Sequence, residues 1–300
     1  MISMIDRFCG CLIGLACGDA VGTTVEFKQR GSFFPVTDMV GEGPFKLNPG
    51  EWTDDTSMAL CLGSSLLESK GFNPDNQMRK YVDWWKNGYM SSTGYCFDIG
   101  HTTLSAINHY QLSGEAFSGS TDQYSAGNGS IMRLAPIVLY YYPDLENILF
   151  YSQESSRTTH ATKECLDACQ LMGEIIYRAL EGETKHDMLE FTDYQMSLSP
   201  KIQAIASGEY KKKSRDQIEG SGYVVESLEA ALWCFWTTDN FESAILEAAN
   251  LGNDADTTAA VCGQIAGAYY GIGDIPSRWI EKLAKGNMIK KMAEDLLQKS

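Results

Sequence analysis

The sequence predicts an all-α fold, a compact single-domain multi-helix bundle spanning residues 1–300, on three observations. Apolar residues recur at i, i+3, i+4 and i+7 through much of the chain. Strand-like alternation is scarce, and the periodic stretches are joined by short turns with no long Pro/Ser-rich linker.

The first periodic stretch covers 5–18. Its opening could be mistaken for a secretory h-region, but Asp6 and Arg7 interrupt it and its small residues recur at helical spacing, so it reads as a core helix. Gly14, Gly18 and Gly22 fall at i and i+4, which lets another backbone approach closely, with Asp19 satisfied by a neighbouring backbone group. Further helices are expected over 56–68, 76–86, 164–181, 224–236, 241–250 and 257–270. Ile137 to Tyr142 follows Pro136 and reads either as a strand or as a helix opening on proline. Turns fall at Gly71–Pro74, Tyr142–Asp144 and Gly182–Thr184. Irregular stretches cover 28–55, 87–102, 113–130 and 207–223, where function concentrates. The basic run Lys211-Lys212-Lys213-Ser214-Arg215 reads as a solvated loop.

Composition excludes several classes. At 44% hydrophobic and 21% charged residues the chain is globular, not disordered. Acidic residues outnumber basic ones 39 to 24, and a formal charge of -15 repels nucleic acid and anionic lipid. A small anionic substrate would be repelled too, unless cations or aimed N–H groups reversed the field locally. No uncharged apolar run approaches the roughly 20 residues of a membrane span, so no membrane insertion is expected. Nine cysteines, an odd number without C-x-x-C pairs, fit reduced thiols in a cytoplasm and no zinc site. A monomer is expected.

Two motifs carry the chemistry. Trp52-Thr53-Asp54-Asp55-Thr56 puts a hydroxyl and two carboxylates just before an apolar helix. Thr53 or Asp54 could merely cap that helix, with Asp55 meeting its dipole. Far along the chain, Asn253-Asp254-Ala255-Asp256-Thr257 repeats the pattern before an Ala-rich helix. Oxygen-only clusters of this kind suit magnesium or manganese, and two of them face to face would suit two ions that activate water. Gly127-Asn128-Gly129-Ser130 could offer N–H groups to a phosphate or simply form a turn. His160 reads as structural when taken alone, and Asp98, in Phe97-Asp98-Ile99-Gly100-His101, as a tuned acid or a helix cap.

Together and in this order, these segments resemble the ADP-ribosylglycohydrolase family, especially the bacterial type that removes ADP-ribose from the arginine of dinitrogenase reductase. The likeness spans nearly the whole chain: G-D-A-x-G at Gly18–Gly22, T-D-D at Thr53–Asp55 and D-x-D-T at Asp254–Thr257. It implies that Thr53, Asp54, Asp55, Asp254, Asp256 and Thr257 hold two divalent ions, Mg or Mn, in a cleft. It further implies Glu26, Asp55 and Asp98 as the catalytic carboxylates, and Gly127, Asn128, Gly129 and Ser130 against the diphosphate. Gly100, His101, His160, Gly222 and Tyr223 would also touch the ligand, Tyr223 near the adenosine. Glu226 and Ala255 depart from the family's usual aspartate and threonine. The implied function is hydrolysis of the bond between ADP-ribose and a modified protein side chain, with arginine favoured. The alternatives are a two-metal phosphoesterase on a nucleotide and a silent ADP-ribose-binding protein.

Overall fold

Ser3 opens the first helix, α1 (Met4–Gly22), with a reciprocal cap: its hydroxyl accepts from the Asp6 amide at 3.2 Å and the Asp6 carboxylate turns back to the Ser3 backbone. The computed structural model describes residues 2–191 and 197–299. Twelve further helices follow: α2 (Asp54–Ser69), α3 (Pro74–Asn87), α4 (His101–Ser113), α5 (Ala135–Tyr141), α6 (Leu145–Arg157) and α7 (Lys163–Glu181), then α8 (Pro200–Ala206), α9 (Val224–Thr237), α10 (Phe241–Ala249), α11 (Ala255–Tyr270), α12 (Ser277–Lys282) and α13 (Gly286–Leu297).

Local signals account for most boundaries. Asn73, Asp144, Thr162 and Asn240 cap α3, α6, α7 and α10 with their own side chains, and α3, α4 and α7 stop at left-handed Gly88, Gly114 and Gly182. All seven predicted helices form, and Ile137–Tyr141 resolves as the helix opening on proline. Among the described residues extended pairing is confined to isolated bridges, two of which, Gly127–Tyr223 and Ser120–His160, stitch loops beside the cleft described below. The basic run keeps Lys212 and Ser214 exposed, as a solvated loop should, but it is also tethered to its surroundings. Tyr210 is buried, Lys211 donates to the Leu189 carbonyl, and Lys213 and Arg215 pair with Glu229 and Glu247.

At the centre α1 lies antiparallel against α11 along a stripe of small residues. A Cβ added at Gly10, Gly14, Gly18 or Gly22 would sit 2.2, 2.3, 2.1 and 2.4 Å from the carbonyl oxygens of Gly267, Gly263, Ala259 and Ala255. Backbone therefore meets backbone, as the glycine spacing predicts. α2, α5, α7, α9, α10 and α13 pack around this pair to form one continuous apolar core. The stretch Met4–Val25 is long and apolar enough to cross a bilayer, but its most apolar part is buried inside the protein. The close pairing has a functional consequence: it brings the C-terminal end of α1 against the N-terminus of α11, where the second acidic motif lies.

Candidate active site

The N-termini of α2 and α11 meet at this point, and neither is capped by its own side chain. Asp19, on the last turns of α1, does that work for α2. Its carboxylate accepts from the Thr53 amide at 2.8 Å, the Thr56 amide at 3.0 Å and the Thr56 hydroxyl at 2.6 Å. Thr53 is thereby released from capping, and its hydroxyl turns to Asp55 Oδ2 at 3.3 Å and Asp256 Oδ2 at 3.2 Å. Thr257 Oγ1 donates to the same Asp55 oxygen at 3.3 Å. The two motifs, far apart in sequence, form one cluster.

Glu26 and Asp98 join it. Glu26 follows the short turn after α1, and its loop is pinned to the α11 motif by two reciprocal bonds, Phe27 N to Asn253 O and Asn253 N to Lys28 O, each 2.7 Å. Phe27, Asn253 and Asp98 all adopt left-handed backbone (φ 61°, 56° and 58°), a conformation that costs free energy for residues other than glycine. Carboxylate oxygens of Glu26, Asp98 and Asp256 lie within 4.8 Å of one another. Asp98 caps no helix; Gly100 holds the N-cap position of α4.

Such crowding is hard to sustain without cations. Burial pushes the Asp54, Asp55 and Asp256 carboxyls well above the usual range, with the neighbouring carboxylates adding to the shift. Glu26 is raised to about 10 by burial and then by Asp98, and Asp98 to about 7 by burial and then by Asp254 and Asp19. Asp55 Oδ1 and Asp256 Oδ1 are buried and have no hydrogen-bond partner. Buried oxygens of this kind are costly unless something positive meets them, and an all-oxygen donor set suits a hard divalent ion. The residues therefore fit divalent metal.

A pH dependence follows for the metal-free protein. Folded Asp98 and Glu26 hold protons that the unfolded chain releases near pH 4. Stability is therefore full below that pH and lost as pH rises, to about 7 for Asp98 and towards about 10 for Glu26. Calorimetry in chelator is expected to show a melting temperature that falls between pH 5 and 8; a flat or rising profile would contradict the crowding.

The acids open into a cleft of about 690 Å3. Glu26, Phe27, Asp54, Asp98, Asp254 and Thr257 line its acidic end. Gly127, Asn128, Gly129 and His160 continue the wall, and exposed Gly100 and His101 lie on the rim. A second cavity of about 860 Å3, bordered by Tyr124, Glu164, Lys201 and Tyr223, shares Thr102, Gly127 and Gly222 with the first. The Tyr223 hydroxyl is 2.6 Å from both Lys201 Nζ and a Glu164 oxygen.

The glycine loop is only partly free to bind an anion. The Gly127 and Asn128 amides are spent on Ser125 O and Gly222 O, and the Asn128 side chain donates to Asp254 Oδ2 at 2.6 Å. Among the described residues the Gly129 and Ser130 amides have no protein acceptor, although Ser130 is buried and does not line the cleft. Arg133, 1% exposed, donates to Gly129 O at 2.6 Å and Thr159 Oγ1 at 2.7 Å beneath the loop. Its charge has no carboxylate partner among the described residues, so it favours an anion above the loop. His160 is driven down to about 3 by burial and then by Arg133, and stays a neutral imidazole wedged against Gly129, where a Cβ would stand 2.7 Å from its Cε1.

Asp19 is satisfied by neighbouring backbone amides, as the sequence predicts, but that these belong to the start of α2 is not legible there, nor are the clamp at Phe27 and Asn253 and the wall made by Lys201, Glu164 and Tyr124. The unusual turn Gly252-Asn253 was a usable signal for the clamp; nothing in the sequence marks Lys201. Ala255 is buried against α1, so its departure from the family pattern does not face the cleft.

Fold and site together define an all-helical protein with a buried all-oxygen acidic cluster, a donor set that fits hard divalent cations, beside a cleft of about 690 Å3. The family model described as ADP-ribosylglycohydrolase matches residues 2–300. The chain is 45% identical over 292 residues to the ADP-ribosylarginine hydrolase Tri1 of Serratia proteamaculans (strain 568), covering 97% of this chain and 79% of that protein. It is 32% identical to the ADP-ribosyl-[dinitrogen reductase] glycohydrolase of Rhodospirillum rubrum, covering 94% and 91%. A solved structure, an ADP-ribosylglycohydrolase-related protein complex, superposes with a TM-score of 0.89 at 38% identity and covers 99% of both chains. The chain belongs to the ADP-ribosylglycohydrolase family and is a glycohydrolase.

Proposed function

We propose that this enzyme hydrolyses the N-glycosidic bond between ADP-ribose and arginine side chains of modified proteins, using two divalent ions, magnesium or manganese. The names and identities of the two relatives support the arginine linkage. The observation that carries the metal reading is the pair of orphaned oxygens, Asp55 Oδ1 and Asp256 Oδ1, buried where the two motifs meet.

Thr53, Asp54, Asp55, Asp254, Asp256 and Thr257 would hold the ions. Once bound, they would polarise sugar hydroxyls and lower the pKa of water. The rest falls to the chain's own groups. Glu26 and Asp98 share the acidic end of the cleft with this cluster, and as a carboxyl pair they suit the two proton movements of the reaction. One takes a proton from the water whose oxygen joins C1'' of the ribose; the other protonates the departing arginine nitrogen. Free ADP-ribose and unmodified arginine result. The Gly129 amide and the Arg133 charge favour the diphosphate over the glycine loop, and Tyr223 takes the adenosine half in the second cavity. The nine unpaired cysteines support a reducing compartment, the cytoplasm.

The test offers an ADP-ribosylarginine protein and an ADP-ribosylserine peptide, each with Mg2+, Mn2+ or chelator, and measures free ADP-ribose. Release from the arginine substrate alone, abolished by chelator, is expected. Release from the serine peptide alone would overturn the linkage, and AMP in place of ADP-ribose would overturn the bond assignment.

A further inference from the structure

Four aromatic residues stand in a row at the acidic end of the cleft, and no step above uses them. Phe27 lines the cleft beside Glu26 and is 67% exposed; its ring lies 6.3 Å from that of Phe45. Phe45 is 5.2 Å from Phe97, and Phe97 is 5.8 Å from Tyr95, which is 59% exposed. None of the four belongs to the hydrophobic core or packs against it. Stabilisation of the core therefore does not explain them, and a contiguous aromatic row, exposed at its two ends and half-buried at Phe45 and Phe97, carries a solubility cost that calls for a ligand.

Two features define that ligand. Phe27 and Phe97 are the chain neighbours of Glu26 and Asp98, and Phe27 lines the cleft together with both carboxylates. Rings attract a cation over their faces and carboxylates attract it at their edges, and a planar guanidinium satisfies both. The position agrees. The adenosine-side cavity joins the cleft through Thr102, Gly127 and Gly222, whereas the rings begin at Phe27, in the acidic end with the catalytic pair. A substrate spanning both cavities presents its leaving group on the ring side.

We propose that Phe27, Phe45, Phe97 and Tyr95 form the ledge that docks the leaving-group side of the substrate, the alkyl-guanidinium of the modified arginine and the polypeptide segment carrying it. This rests on the arginine reading above. The glycosylated guanidinium keeps its positive charge, so cation–ring contact persists until the bond breaks. The formal charge of -15 adds a long-range preference for a cationic segment. The left-handed backbone at Phe27 and Asp98 holds the inner end of the ledge in place.

The test uses Phe45 and Tyr95, the two rings that are not chain neighbours of Glu26 or Asp98. Wild type, a Phe45→Ala/Tyr95→Ala chain and a Phe45→Leu/Tyr95→Leu chain are compared on an ADP-ribosylarginine peptide, and each is titrated with free ADP-ribose in Mn2+ by calorimetry. Both double variants are expected to lose about tenfold in kcat/KM on the peptide, mainly through KM, while Kd for ADP-ribose stays within about twofold. Unchanged kcat/KM in the alanine chain, or equal loss of ADP-ribose binding, would overturn the ledge. Leucine variants that match wild type would overturn the cation–ring chemistry. A wild type that leaves the arginine peptide intact would overturn the arginine reading and the ledge's ligand with it.

Discussion

Asp256→Ala is expected to abolish release of ADP-ribose, with a loss on the order of a thousandfold or more, while the helical circular dichroism is unchanged. Asp256 shares the Thr53 hydroxyl with Asp55 and, like Asp55, offers the cluster a buried carboxylate oxygen that has no donor among the described residues. Removing it takes a ligand from the cluster and costs one hydrogen bond between α2 and α11, from the Thr53 hydroxyl, which keeps Asp55 Oδ2 as an acceptor. Stability should respond in opposite directions with and without metal. In chelator the variant melts no lower than wild type, because a buried carboxyl whose ionisation is opposed by burial and by Glu26 has gone. In saturating Mn2+ wild type gains stability and the variant gains far less. Retained activity, or equal stabilisation by metal, would show that the site lies elsewhere. Asp19→Ala should behave differently: it leaves the Thr53 and Thr56 amides without their acceptor, so it lowers stability even in chelator.

Gly18→Ala is expected to destabilise the fold by about 3 kcal/mol although it adds one methyl group. The new Cβ would stand 2.1 Å from the Ala259 carbonyl oxygen and 2.9 Å from the Ala260 nitrogen, both backbone atoms that cannot swing aside. Restoring ordinary contact separates α1 from α11 by about 1 Å. Alanine's better helix propensity returns about 1 kcal/mol, too little to offset the clash. The displacement also reaches the site, since Asp19 follows Gly18 and Asp256 lies on the facing helix. Metal affinity should therefore fall along with stability. Gly273→Ala, where an added Cβ meets nothing within 4 Å, is the control and should be near neutral. Chemical denaturation of the two variants checks this, and a Gly18→Ala chain as stable as the control would refute the close approach.

Both predictions join features that the sequence shows separately. Thr53-Asp54-Asp55 and Asp254-Ala255-Asp256-Thr257 are legible as oxygen clusters because the grouping of hydroxyl and carboxylates occurs twice, each time ahead of an apolar helix, although either one alone could be a helix cap. The periodicity of seven helices is legible because a 3.6-residue repeat of apolar side chains is a local property. The glycines at 14, 18 and 22 announce a close helix contact without saying with which helix. The Ile137–Tyr142 stretch is not settled locally, and the tethering of the basic run at 211–215 is not legible, because its partners Glu229 and Glu247 are brought to it only by the packing of α9 and α10.

By itself the sequence determined the helical class, the two acidic motifs and, through their order, the family, since each depends on residue types and short spacings. Only the tertiary structure decided that α11 is the partner of the glycine stripe, that Asp19 caps α2 so that Thr53 turns inward, and that Glu26 and Asp98 reach one cluster. It alone set the aromatic row at the cleft's acidic end. The physical reason is common to all of these. Capping, crowding of charge and ring contact here depend on distances between segments far apart in the chain, and those distances exist only once α1 and α11 have closed on each other.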